Sequence, residues 1–306
     1  MERADTMHAA TNNAGLRVGV RVLASGSRGN CSVLRIQCAG ETLTALIDAG
    51  LSPRRTRAAM AACGLSLDEV DVALLTHLDT DHFYSGWVSK LPLDAPFVMH
   101  RRHRGRAERQ GALRRRTTLV DGPFDLCESL PPARTGARAL PPCIIRVTPT
   151  LMSHDDLGVA AFRFDIESGA ERASVGWATD LGRVTDRLIG AMEGVGLLAI
   201  ESNYCPHLQR ASSRPAYLKQ RIMGGSGHLS NGESAEAVGL IRPRDAVALL
   251  HLSQECNTPE RALEAHAAHR MAVSVTSQDE PSGWIMATTR AAVTIPAREG
   301  QGALFG

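Results

Sequence analysis

Five apolar, strand-forming runs in this chain each finish on a residue able to hold a cation or a proton. "ALID" ends at Asp48, "ALLTH" at His77, "GWATD" at Asp180 and "ALLH" at His251, while "LLAIES" carries Glu201 at its end. A group of that kind tolerates the end of a buried strand only where a partner or solvent meets it. Layered α/β folds gather their sites where strands give way to loops. The pattern therefore predicts a layered α/β protein in which residues more than 200 positions apart converge at one sheet edge.

Apolar periodicity predicts strands at residues 17–24, 31–36, 42–47, 70–75, 95–99, 144–147, 160–165, 173–177, 197–200 and 246–250. Helical spacing predicts helices at 53–63, 88–91, 186–192, 215–222, 232–241 and 259–271. Gly, Pro or Asp marks nearly every junction, and no internal repeat is visible. The 306 residues suffice for one large core, read here as a domain over 17–282. A polar leader, 1–16, reads as disordered, and a Gly-rich tail, 283–306, as partly so. The seven cysteines form no CxxC pair, and no signal peptide or long apolar span is present. Reduced thiols in a cytoplasmic protein with no membrane partner are the expectation.

Imidazole and carboxylate together suit zinc, manganese or iron. "THLDTDH" supplies His77, Asp79, Asp81 and His82 from one tight loop, and a helix beginning near Asp81 would set carboxylates at its favourable N-terminal dipole. His154, Asp180 and His251 complete the supply.

At these residues the chain resembles the metallo-β-lactamase fold superfamily, within it the YycJ/WalJ-like branch of exonucleases. "VLASGSRGNCSVL", "LIDAGLS", "LLTHLDTDH", "SHD", "TDLGRV", "ESN", "LKQRI", "GHLSN" and "HLSQECNTPE" follow the order of that branch from about Val18 to Glu260. The resemblance implies a four-layer αββα sandwich with two mixed sheets. It implies two divalent metal ions (zinc, or else manganese or iron), with His77, Asp79 and His154 on the first and Asp81, His82 and His251 on the second. Asp180 would bridge them, and Asp48 would orient the metal loop from behind. A metal-bridged hydroxide would attack a phosphodiester. Asp81 and His228 are the catalytic expectations, His228 contacting phosphate or protonating the leaving oxygen. Ser27, Asn30, Asn203 and Asn231 are the substrate-binding expectations, although "ASGSRGN" also reads as a plain glycine turn.

Two positions depart from the pattern of the branch. Asp79 stands where it has a histidine, which lowers the net charge of a two-metal site and favours harder cations. Tyr204 and Cys205 replace a usual His-Asp pair. Outside these motifs, eight arginines and one acidic residue between Arg101 and Arg116 could attract a nucleic acid. A solvated charged face is the plain alternative, and no aromatic residue interleaves with them to stack bases. The functional expectation is a metal-dependent hydrolase, a phosphodiesterase or nuclease acting on DNA. The alternatives are a hydrolase of a small cyclic phosphate, lactone or thioester, and a non-catalytic descendant that binds nucleic acid or protein. The sequence carries no signal of oligomeric state.

Overall fold

A computed structural model describes residues 15–90, 95–130 and 139–291. The first half builds β1 (Arg17–Ala24), β2 (Cys31–Cys38), β3 (Glu41–Ile47), α1 (Pro53–Ala62), β4 (Val72–Leu75), β5 (Phe97–His100), α2 (Arg104–Arg109) and β6 (Thr117–Val120). The second builds β7 (Phe124–Asp125), β8 (Ile144–Met152), β9 (Val159–Ser168), β10 (Glu171–Ala178), α3 (Asp186–Met192), β11 (Leu197–Glu201), α4 (Pro206–Ala211), α5 (Ala216–Arg221), α6 (Asn231–Ile241), β12 (Ala246–Leu250), α7 (Pro259–Ala265), β13 (Ala272–Val275), β14 (Ile285–Ala287) and β15 (Arg290–Ala291).

Two mixed sheets result. One runs β14-β1-β2-β3-β4-β5-β6 and the other β13-β12-β11-β10-β9-β8-β7, with β15 paired to β10. Strands β1 to β3 form an antiparallel meander, after which β3 to β6 are parallel. In the second sheet β8 to β10 are antiparallel and β10 to β13 parallel.

Alternation along the strands decides the layers. Val18, Val20 and Val22 of β1, with Leu43, Ala45 and Ile47 of β3, pack on Phe162, Phe164, Val175 and Trp177 of the second sheet. The opposite faces bury Leu46, Ala73 and Met99 under Met60 and Trp87, and Leu198, Val247 and Leu249 under Leu188, Val238 and Ala262. Each fully buried side chain of this size contributes roughly 1.5–3 kcal/mol, so three apolar seams hold four layers, helix-sheet-sheet-helix, as expected.

The helices begin at strong local signals. Ser52 caps α1 ahead of Pro53, and Thr258 caps α7 ahead of Pro259. Ser230 and Glu233 form a reciprocal capping box that starts α6 within "GHLSN".

Several expectations need correction. The helix predicted near Asp81 is a turn, in which the N–H groups of His82 and Phe83 both donate to Asp79 O, and the 3₁₀ helix Ser85–Ser89 starts later. Pairing of Phe83 with Ala49 draws the chain into an extended path there. The helix predicted over 259–271 stops at Ala265, because His266 leaves helical geometry and the chain turns into β13. Strand β6 and helices α2 and α4 had no prediction. The tail set apart at 283–306 enters the sandwich at its start, since β14 pairs antiparallel with β1. Residues 1–14 of the leader, residue 91 of a predicted helix and 292–306 of the tail lie outside the described residues. All seven cysteines are free thiols, and among the described residues no helix is long and apolar enough to cross a membrane.

Candidate metal centre

The five strand-end residues meet between the two sheets. Asp48 follows β3, His77 lies two residues beyond β4, Asp180 two beyond β10, Glu201 closes β11 and His251 follows β12. Asp48, Asp180 and His251 have φ of +61°, +52° and +55°. Left-handed backbone at a non-glycine residue costs on the order of 1–3 kcal/mol and persists only where the surroundings impose it. Here they do: Asp48 N–H donates to Leu74 O at 2.9 Å, and His251 N–H to Ser25 Oγ at 2.8 Å.

Asp48 sets the orientation of two imidazoles. Its Oδ2 accepts from His82 Nδ1 at 2.8 Å, and its Oδ1 accepts from the hydroxyl of Thr76 at 2.9 Å. With that hydroxyl proton committed, Thr76 Oγ1 is left to accept from His77 Nδ1 at 3.0 Å. Both rings therefore turn Nε2 inward, as neutral imidazole ligands require. His154 does likewise, its Nδ1 donating to Gly227 O at 3.2 Å.

Inside this frame the donor atoms fall into overlapping sets, each within 4.8 Å: His77, Asp79 and His154; Asp81, His82 and His251; His77, His82 and Asp180; and Asp180, Glu201, His228 and His251. Asp180 Oδ2 lies 2.6 Å from His82 Nε2 and 3.9 Å from His77 Nε2, while Oδ1 lies 3.4 Å from His251 Nδ1. His251 Nε2 is buried without a hydrogen bond, 3.5 Å from Asp81 Oδ2. A buried, orphaned imidazole nitrogen beside carboxylates, amid oriented rings, fits a divalent cation of the zinc, manganese or iron type.

Electrostatics agrees with the geometry. Burial opposes charge on His82 and His251, yet the carboxylates outweigh it. Asp180 and Asp48 raise His82 well above the usual imidazole range, and Asp180, Asp81 and Glu201 raise His251 to about 10. Burial lowers His77 far below that range, helped by His82, whose ring centroid is 4.1 Å away. Against their own burial, Asp180 is held well below the carboxylate range by His251 and His82, and Glu201 is lowered by His228. Carboxylates kept ionised and imidazoles kept protonated by them form a centre whose protons a cation displaces.

Asp79 is the less enclosed donor. Its Oδ2 faces His77 Nε2 at 3.9 Å, while its Oδ1 is gripped by Arg106 Nη1, which also reaches Asp155 Oδ2 at 3.1 Å. Arg106 comes from α2, inside the arginine-rich segment, and had no assigned role. Other arginines there are engaged as well. Arg101 pairs with Asp121 at 2.7 Å, and Arg115 reaches Val88 O and Ala95 O with its guanidinium 5.8 Å from the Phe97 ring centre. Arg104, Arg109, Arg114 and Arg116 remain exposed.

A cavity of about 430 Å³ opens over the centre, lined by Ser27, Asn203, His228, Arg214, Arg221 and the metal-loop residues, among others. Ser27 is part of that lining. Asn203 lines it too, with its amide donating to His251 O at 2.6 Å. Asn30 and Asn231, expected to bind substrate, are not in the lining. Asn30 is spent on Gly26, Asp81 and His82, and Asn231 on Ser202 and Asn257, so both brace the loops. Tyr204 and Cys205 stay out of the lining as well. Tyr204 packs with Ile222 and Cys256 beneath the rim. Sequence reasoning noted Glu201 at a strand end without giving it a role; it is fully buried and accepts from His228 Nδ1 at 2.6 Å. Its signal was its place in the strand-end series. Arg106 and Arg214 had no such signal, and Arg221 stood within "LKQRI" without an assigned role.

Comparison with known proteins agrees with this architecture. Residues 44–251 match the Beta-lactamase superfamily domain, and the chain belongs to that superfamily. It is 28% identical over 243 residues to exodeoxyribonuclease WalJ of Streptococcus pneumoniae serotype 2, covering 79% of this chain and 84% of that one. It is 26% identical over 266 residues to exodeoxyribonuclease YycJ of Bacillus anthracis, covering 86% and 90%. Among solved structures, the metallo-β-lactamase fold protein YhfI from Bacillus subtilis superposes with a TM-score of 0.56 at 16% identity, over 87% of this chain and 99% of that one.

Proposed function

We propose that this member of the superfamily is a metal-dependent phosphodiesterase that degrades DNA as a nuclease. The observation that carries the reading is the set of overlapping donor groups joined through Asp180, with His228 beside them in an open cavity. The naming of two relatives as exodeoxyribonucleases supports DNA as the substrate.

In this reading His77, Asp79 and His154 would hold one divalent cation and Asp81, His82 and His251 a second, with Asp180 available to both. When bound, such cations supply Lewis acidity, withdrawing charge from the scissile phosphate and acidifying water. Two divalent ions against Asp79, Asp81 and Asp180 leave a net +1, and Arg106 on Asp79 returns the centre toward +2. Glu201 fixes His228 by accepting its Nδ1–H, which leaves Nε2 to contact the substrate. From there His228 donates a proton to the leaving oxygen, as a positioned general acid. Ser27 and Asn203 contact the substrate from the cavity wall.

Incubation of the protein with single- and double-stranded DNA, with manganese or zinc and then with excess chelator, tests this reading. Release of nucleotides that stops on chelation is expected. Turnover of bis(p-nitrophenyl) phosphate without any cleavage of DNA would replace it with a small-ester hydrolase.

A further inference from the structure

Two cations stand in the cavity wall on the side of α4 and α5, and they differ in what they have to bind. Arg214 is committed to the protein: Nε donates to Glu255 Oε2 at 2.7 Å, Nη1 to Gln209 Oε1 at 3.2 Å and Nη2 to Ser253 Oγ at 3.3 Å. Arg221 lines the same cavity, is exposed, and its guanidinium has no hydrogen bond or ion pair among the described residues. Tyr217 lies four positions earlier in α5, where residues share one helix face. At 74% exposure it is the most solvent-accessible of the large apolar side chains described.

The ledge bearing both is held to the centre. Ile222 packs with Tyr204 and Cys256, with Leu218 against them. The turn after α5 touches the loop behind Asp180 so closely that a Cβ on Gly182 would lie 2.7 Å from Gly225 O. An unpartnered guanidinium at the cavity, with an exposed aromatic ring one helical turn further out, is the pairing used for single strands: a cation for the backbone and a π-face for a base.

We propose that Arg221 and Tyr217 form a ledge for a single-stranded nucleic-acid segment entering the centre, Arg221 on a backbone phosphate and Tyr217 stacked on a base. This rests on the phosphodiesterase reading and gives it a substrate form. Inside a duplex each base is stacked on both faces, so a strand lying along the ledge, with a phosphate on Arg221 and a base on Tyr217, has to leave the duplex.

The test is binding of a hydrolysis-resistant phosphorothioate oligonucleotide to the metal-loaded protein at several salt concentrations. Arg221→Ala is expected to weaken binding of the single strand about tenfold and to reduce the logarithmic salt slope by about 0.7, the value for one phosphate contact. Arg221→Lys keeps that slope. Tyr217→Ala weakens binding about fivefold or more, with the salt slope unchanged, and Tyr217→Phe restores it. If wild-type protein binds and cuts DNA but both alanine variants keep its affinity and slope, the ledge is wrong and the nuclease reading stands. Equal weakening on a blunt duplex and on the single strand also overturns the ledge. If the wild type neither binds nor cuts any DNA yet hydrolyses bis(p-nitrophenyl) phosphate, the nuclease reading itself fails.

Discussion

The two halves of the centre are built from the same kinds of side chain and differ in enclosure. On the Asp81–His82–His251 side, both rings are buried, His82 is clamped between Asp48 and Asp180, and His251 rests against Asp180 and Glu201. On the His77–Asp79–His154 side, Asp79 is 31% exposed and its partner Arg106 29% exposed. The first half has its geometry imposed by buried carboxylates. In the second, His77 is buried and oriented through Thr76 and Asp48, but Asp79 relies on an ion pair that solvent reaches. Low dielectric strengthens the former, and water screens the latter.

Substitution tests that contrast directly, and the largest effect is expected at the shared carboxylate. Asp180→Ala leaves the buried His82 and His251 facing each other without it, so metal-stripped protein should lose about 3–5 kcal/mol in urea denaturation. A loss under about 1 kcal/mol would mean that the enclosed half is not electrostatically locked. Next in size is Asp48→Asn, which touches no candidate ligand atom except through the rings it orients. Removing such a support should weaken metal affinity about 10- to 100-fold in competition with a chelator. Smallest is Arg106→Ala. Because its pair with Asp79 is about one-third exposed, the fold should lose less than about 1 kcal/mol. A larger loss in thermal or urea unfolding would show the outer half to be as tightly built as the inner.

The sequence was most informative where a strand ran straight into a ligand-type residue. Asp48, His77, Asp180 and His251 stood out because a titratable group ending an apolar run needs a partner, and that need is local. Asn30 and Asn231 misled for the converse reason: an amide in a glycine-rich loop can face a cavity or brace the loop, and only its neighbours decide. Their neighbours are Gly26, His82 and Asn257, and they brace. The turn at Asp81 was mistaken for a helix start because its carboxylates suit one, while pairing of Phe83 with Ala49 overrides that local preference. The helix predicted over 259–271 ran too far because "HAAHRM" continues helical spacing, although α7 ends at Ala265 and β13, which follows at Ala272, had no prediction.

By itself the sequence determined the layered α/β class, the strands that carry the centre and the residue types that meet there. Period-two burial and strand-end chemistry are properties of neighbouring residues, readable without a fold. The tertiary structure alone decided that Arg106 grips Asp79, that Glu201 holds His228, and that Glu255 and Ser253 hold Arg214 while Arg221 has no partner among the described residues. Each of those facts is a pairing between distant segments. A side chain's charge is written in the chain, but what neutralises it depends on what the packing brings within about 3–4 Å.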